Sequence, residues 1–267
     1  MQINIQNGLI MKNNYHFIFD QTKQAFKIKK KLLRKYKNYP LKKSDKIIVS
    51  GGDGFMLRIL KKYHRSKKPF YGINCGTVGF LMNKFDNMNL DKKINRSKSF
   101  LINPLEIKVL RSNKKKQKML AINEISLFRQ SRQTAILSIK INNKIFIKRL
   151  IGDGALVCTP AGSTAYNLSI NGPILSFNSK KIAITPISSF RPRRLKGKVV
   201  PDSSRVTVEN LDFKKRPVAA VADNSEIRNI KNVQISINKQ IRLHLLFDSG
   251  YSLPKKIKLE QNKNSKI

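Results

Sequence analysis

The chain has 267 residues, 40% of them apolar, and sets 55 Lys and Arg against 15 Asp and Glu, a formal net charge of +40. That length holds one large domain or two ordinary ones, and 14 Phe with 7 Tyr supply a sizeable core, so wholesale disorder is excluded. There is no run of about 18 apolar residues for a membrane-spanning helix, Met1 to Met11 lack the order of a secretory signal, and two cysteines, Cys75 and Cys158, exclude a disulfide scaffold and fit a reducing compartment.

Asn14 to Asp20 alternates and then runs apolar, which predicts a first strand. Gln21 to Tyr39 reads as a basic helix with Ala25, Ile28, Leu32 and Tyr36 on one stripe, ended by Pro40. Lys46 to Ser50 is a short buried strand that feeds Gly51-Gly52-Asp53-Gly54, and helical spacing resumes from Phe55 to His64. Pro69 to Asn74 is a further strand, followed by the turn Cys75 to Gly79. This alternation predicts an open α/β sheet. After about residue 100 the pattern becomes β-rich. Leu105 to Leu110 is a strand, Arg111 to Lys118 a basic loop, and Ala135 to Ile141 with Lys144 to Lys148 a hairpin through Asn142-Asn143, which tolerate positive φ. Strand patterns recur at Ala155 to Thr159, Lys181 to Thr185, Ser204 to Glu209, Val218 to Ala222, Val233 to Asn238 and Ile241 to Phe247, which predicts a sandwich. The tail from Lys255 is polar and basic and is expected to fray at its end.

Four places carry chemistry. In Gly51-Gly52-Asp53-Gly54 the glycines let a ligand approach the backbone, and the helix start directs N–H groups at an anion. No Gly-Lys-Ser/Thr follows, so this is not a Walker loop. Asp53 would repel phosphate unless it takes a proton from an attacking hydroxyl or helps hold a divalent ion; the plainer alternative is an N-cap. Arg58, early in the same helix, could reach a phosphate. At the second place, Ile73 to Leu81, a strand ends in a glycine turn on the same edge of the sheet, where ligands of open α/β sheets sit, and Phe80 could stack on a ring or fill the core. The third, Asn123-Glu124, offers acceptors to a ribose diol or an amide ligand, although alone the dipeptide reads better as an ordinary loop. The fourth, Gly152 to Ser169, is poor in charge and rich in Gly, Ser and Thr, which suits a neutral polar ligand or a nucleoside, with Tyr166 as an aromatic face. The three histidines do not pair at metal spacing, and no Gly-x-Ser-x-Gly elbow occurs.

Taken together, Gly51-Gly52-Asp53-Gly54, Gly79-Phe80, Asn123-Glu124, Asp153-Gly154 and the run Thr159-Pro160-Ala161-Gly162-Ser163-Thr164-Ala165-Tyr166 resemble the NAD kinase family over most of the chain. Gly-Gly-Asp-Gly is shared with lipid kinases; the Thr-Pro-Ala-Gly-Ser-Thr-Ala-Tyr run decides between them. The resemblance implies transfer of the terminal phosphoryl of ATP, or of polyphosphate, to the 2′-hydroxyl on the adenosine side of NAD. It implies that Asp53 activates that hydroxyl with Gly51, Gly52, Gly54 and Arg58 beside it, and that Phe80 lines the adenine side. Asn123 and Glu124 would bind the adenosine ribose, and Asp153, Ala161, Ser163, Thr164, Ala165, Tyr166, Asn167, Leu168 and Ser169 would contact NAD. Asp223 matches a further acidic residue near the substrate. It also implies an α/β N-terminal domain, Rossmann-like and phosphofructokinase-like, over 1–100; a β-sandwich-like C-terminal domain over 101–245; and a segment 246–267 packing back on the first. A divalent ion such as Mg²⁺, a homodimer or homotetramer, and a cytoplasmic location complete the implication. Thr77 stands where many members have His, and Ile151 where some carry a basic residue.

A charge of +40 invites nucleic acid as a partner. Yet Lys, Asn, Ile and Phe crowd the whole chain, the pattern of an AT-rich codon bias, and the candidate sites lie where lysine is scarce. The basic run Arg111 to Lys118 contains no aromatic residue for stacking on a base. The expectation is therefore neither a membrane nor a specific nucleic-acid partner.

Overall fold

The computed structural model describes residues 13–77, 79–86, 89–252 and 256–257. In chain order the elements are β1 (Tyr15–Phe19), α1 (Lys23–Leu33), β2 (Lys46–Gly51), α2 (Asp53–Tyr63), β3 (Phe70–Asn74), α3 (Leu90–Arg96) and β4 (Lys98–Ile102). There follow β5 (Leu105–Arg111), β6 (Lys116–Ala121), β7 (Glu124–Arg129), β8 (Ala135–Ile141), β9 (Lys144–Gly152), β10 (Gly154–Cys158) and the short α4 (Tyr166–Ser169). The rest is β11 (Lys181–Ile187), β12 (Lys198–Pro201), β13 (Val206–Asn210), β14 (Val218–Ala222), β15 (Ser225–Ile227), β16 (Ile230–Ile237) and β17 (Leu243–Phe247). No described helix is long and apolar enough to cross a membrane.

These elements form two compact units. The first takes the described residues up to Met56, Lys67–Phe100 and those from His244 onward. The second takes Leu101–Leu243 and also Leu57–Ser66, which a division at residue 100 leaves with the first.

The first unit holds a five-stranded sheet of order β1-β2-β3-β17-β4, in which β1, β2, β3 and β17 run parallel. Tyr15, Phe17, Ile28, Leu32, Ile48, Tyr71, Ile73, Leu90, Ile94 and Leu246 form a core between this sheet and α1 and α3. The register sets Gly51 beside Asn74, so the turns that follow β2 and β3 leave the sheet at one edge. Cys75 N–H donates to the Gly51 carbonyl at 2.8 Å and ties the two turns together.

The second unit is a sandwich of two six-stranded sheets, β12-β11-β10-β7-β14-β15 and β6-β5-β16-β13-β8-β9. Inward side chains of both sheets make one continuous core, among them Ile107, Leu137, Val208 and Ile235 from one face and Leu127, Val157, Ile184 and Ala220 from the other. In the first of these sheets the antiparallel register sets Glu124 opposite Cys158 and Ile125 opposite Ala222. The start of β7 and the ends of β10 and β14 therefore meet at one edge.

Three sequence expectations are corrected. The helix predicted to Tyr39 ends at Leu33, because the chain beyond it bonds to β1 instead: Tyr39 N–H donates to the Tyr15 carbonyl, and Asn38 Oδ1 accepts from Phe17 N–H, each at 2.9 Å. The basic loop Arg111 to Lys118 is a hairpin running into β6. That edge strand keeps its lysines on the exposed side, where they discourage further pairing. The last apolar run, counted with the sandwich, becomes β17 of the parallel sheet. The hairpin at Asn142-Asn143 has the positive φ angles expected, +49° and +65°.

Candidate functional site

Asp53 is the first residue of α2 but not its cap. The Gly52 carbonyl accepts the first helical bond, from Met56 N–H at 3.0 Å. The Asp53 side chain reaches instead to the turn after β3, where Oδ2 accepts from Phe80 N–H at 2.7 Å and Oδ1 from Leu81 N–H at 2.9 Å. Burial pushes its pKa up, while these two bonds and the charge of Lys256 pull it down. A carboxylate has about four acceptor positions, so each oxygen retains one for a ligand hydroxyl. The surrounding glycines divide by role. A Cβ on Gly51 would strike the Phe55 ring at 2.7 Å, whereas at Gly52 and Gly54 it would meet nothing within 4 Å. Bare backbone in open space at a helix start suits an anion. Arg58 is exposed on α2, and Phe80 is half-buried.

In the second unit, Asn123 and Glu124 stand at the start of β7. Asp223 lies behind them, with Oδ2 accepting from Ile122 N–H and Oδ1 from Asn123 N–H, both at 2.9 Å. Its φ of +51° lets its own N–H donate to the Glu124 carbonyl at 3.1 Å. Lys61 Nζ sits 3.3 Å from Asp223 Oδ2 and donates to Asn224 Oδ1 at 2.7 Å. On the other side Thr159 N–H donates to the Asn123 carbonyl at 2.8 Å, and its hydroxyl donates to the Ile122 carbonyl at 2.7 Å. With its backbone held from both sides, the pair presents Asn123 Oδ1 and Glu124 Oε2, two buried oxygens with no hydrogen-bond partner. Burial, and then the Asp223 charge, push Glu124 up to about 8. Adjacent buried acceptors left unpaired call for a ligand that offers hydroxyls.

The charge-poor run divides into scaffold and surface. Ser163 is wholly buried; its hydroxyl donates to the Pro160 carbonyl at 2.8 Å and accepts from Leu175 N–H at 3.0 Å. Asn167 is also wholly buried, accepting from the Thr185 hydroxyl at 2.7 Å and donating to the Pro173 carbonyl at 2.9 Å. Both side chains shape the loop from inside. Ala161 and Thr164 are buried; Ala165, Tyr166 and Leu168 are half-buried, and Ser169 is exposed. Tyr166 packs on Phe128 with ring centres 5.6 Å apart. Burial first, then the charges of Asp153 and Glu124, raise its phenol pKa, so these three side chains share one electrostatic environment. Asp153 pairs with Arg129.

A Cβ on Gly162 would lie 2.2 Å from the Asn123 carbonyl oxygen and 2.7 Å from Asn123 Cα. Gly162→Ala is expected to push on the backbone of the acceptor pair and cost about 1–3 kcal/mol in denaturant unfolding. Unchanged stability would mean that the loop yields freely.

Lys61, Thr159 and Arg129 were not singled out from sequence. Thr159 lies inside a noticed run, but Lys61 and Arg129 are two cations among 55 and carry no local signal.

A family model described as the ATP-NAD kinase N-terminal domain matches residues 1–97, and one for the ATP-NAD kinase C-terminal domain matches 122–249. The NAD kinase of Zymomonas mobilis is 45% identical over 93% of this chain and 97% of its own length. That of Caulobacter vibrioides is 45% identical over 89% and 92%. Among solved structures, an NAD kinase from Archaeoglobus fulgidus in complex with ATP shares the fold with a TM-score of 0.71 at 23% identity, over 92% of this chain and 99% of that one. Yeast NADH kinase complexed with NADH gives 0.71 at 22% identity, over 87% and 71%. The chain belongs to the NAD kinase family.

Proposed function

We propose that this chain transfers the terminal phosphoryl group of ATP to the 2′-hydroxyl of the adenosine ribose of NAD, with Asp53 as general base. One observation carries the reading: a single carboxylate, gripped on both oxygens by backbone N–H groups, heads a helix beside glycines whose backbone is bare. In the reaction Asp53 takes the proton of the ribose hydroxyl, that oxygen bonds to the terminal phosphorus, and the bond to ADP breaks. Phosphoryl transfer needs positioning and charge neutralisation more than covalent help. The α2 start and the Gly52 and Gly54 backbone are assigned to phosphate, and Arg58 to its outer charge.

Asn123 Oδ1 and Glu124 Oε2 are assigned to ribose hydroxyls, which their lack of partners supports. Asp223 holds that pair in place rather than touching substrate. Phe80 is assigned to adenine, and Asp153, Ala161, Thr164, Ala165, Tyr166, Leu168 and Ser169 to the remainder of NAD, with Ser163 and Asn167 supporting the loop. The described residues place no group of three or more His, Cys, Asp or Glu to hold a metal ion. In this reading the divalent ion, such as Mg²⁺, arrives bound to the ATP phosphates as part of the substrate. Family membership also supports a homo-oligomer and a cytoplasmic setting.

Purified protein with ATP, Mg²⁺ and NAD is expected to form NADP, with NADH and polyphosphate assayed alongside to fix acceptor and donor. Folded protein that phosphorylates a diacylglycerol or sphingoid base and makes no NADP would replace the reading with a lipid kinase.

A further inference from the structure

The turn that grips Asp53 is itself gripped from behind. Lys256 Nζ donates to the carbonyls of Gly79 and Met82, each at 2.6 Å, and lies 3.4 Å from that of Phe80. The Tyr251 hydroxyl donates to the Phe80 carbonyl at 2.8 Å. The peptide group between Gly79 and Phe80 thus has its carbonyl on Lys256 and its N–H on Asp53. The next one, between Phe80 and Leu81, has its carbonyl on Tyr251 and Lys256 and its N–H on Asp53. A cation on the carbonyl end of a peptide group polarises it and strengthens its N–H as a donor.

We propose that Lys256, assisted by Tyr251, is a positioning residue for phosphoryl transfer, holding and polarising the two peptide groups that fix the Asp53 carboxylate. The inference rests on the reading of Asp53 as the base. Lys256 acts through the turn and touches no reacting atom. The groups that face its ammonium are Asp53 from α2, Asp248 and Tyr251 from the C-terminal stretch, the three turn carbonyls, and the rings of Tyr251 and Phe247, whose centres lie 4.6 and 5.7 Å away. Burial lowers its pKa to about 8, against the pull of the Asp53 and Asp248 charges. Its cationic form is therefore lost as pH rises through that value, within an assayable range.

The test is the pH profile of kcat for NADP formation in the full chain, for wild type, Lys256→Arg, Lys256→Met and Asp53→Asn, with folding followed by circular dichroism. Lys256→Met is expected to lower kcat by about 10–100-fold with the NAD KM within about twofold. Its acid limb moves to higher pH, because a cation that held the Asp53 pKa down is gone. Wild type is expected to lose activity above about pH 8. Lys256→Arg, which stays charged, is expected to recover part of the rate lost in Lys256→Met and to lack that alkaline limb. Wild-type kcat and pH profile in Lys256→Met, with Asp53→Asn inactive, would overturn the inference alone. If Lys256→Met does not fold, an alkaline limb left in place by Lys256→Arg overturns it equally. Activity retained in Asp53→Asn would overturn both the base and its support.

Discussion

Asp53→Asn is expected to lower kcat for NADP formation by about 10²–10⁴-fold, the usual contribution of a positioned general base. The substitution is nearly isosteric, so the effect on the fold can be separated from that on chemistry. One side-chain oxygen remains to accept from either Phe80 or Leu81 N–H, while the new NH₂ faces the other N–H as donor against donor. Leaving one buried donor unpaired costs about 1–3 kcal/mol, a loss visible in denaturant unfolding and compatible with a folded protein. What the variant cannot do is take the ribose proton. The NAD KM should change little, since Asn123 and Glu124, the residues proposed to accept from the ribose, stand on a different element, at the start of β7, and are held by Asp223 and Thr159. A fall in kcat at near-constant KM marks an interaction made in the transition state. An Asp53→Asn enzyme within about tenfold of wild type would remove Asp53 from the chemistry.

The two turns at the sheet edge were legible because the signal is local: a buried strand, a glycine cluster, then helical spacing. The Asn142-Asn143 hairpin was legible for the same reason, as two residues suffice to set its φ angles. Pairing between distant segments was not. β17 looks like any short apolar strand, and nothing in Leu243 to Phe247 says that it lies beside β3. β6 was hidden because an edge strand carries lysines on its free side, and so reads as a loop.

The site divides in the same way. Asp53 announces itself as a carboxylate amid glycines, whereas Asn123-Glu124 alone reads as an ordinary loop and stands out only through the resemblance. Lys61 and Lys256 do not stand out, because in a chain with 55 cations they look like all the others, and Tyr251 is one of seven tyrosines. The resemblance implies that the C-terminal segment packs back on the first domain but names no residue for the contact; Lys256 makes it, bonded to the very turn that holds Asp53. The high charge conceals these residues more than it reveals a partner.

Asp223→Asn is expected to destabilise the protein by about 3–5 kcal/mol, the usual cost of breaking a buried ion pair from one side. The Asp223 side chain is 1% exposed, accepts from two successive N–H groups and faces Lys61 at 3.3 Å. In the variant one acceptor becomes a donor opposite an N–H, and Lys61 keeps only neutral oxygens, those of Ala222 and Asn224 among them. Asn tolerates the φ of +51°, so backbone strain adds little to the loss. The start of β7 loses its backing, and the NAD KM should rise at least about tenfold, the equivalent of one lost hydrogen bond. The same substitution alters a pH dependence. Glu124 titrates near 8 in the folded chain, far above its ordinary value of 4.5. Below about 4.5 it is protonated in both folded and unfolded chains, and there its burial costs nothing through titration. As pH rises towards 8 the unfolded chain releases the proton first, so ligand-free protein loses stability across that window. Glu124→Gln should flatten this slope in melting temperature. Asp223→Asn should lessen it, because the Asp223 charge is the second cause of the Glu124 shift after burial. A wild-type melting temperature as flat between pH 5 and 8 as that of Glu124→Gln would show that Glu124 is ionised when empty, and would remove the buried, partnerless acid from the ribose site.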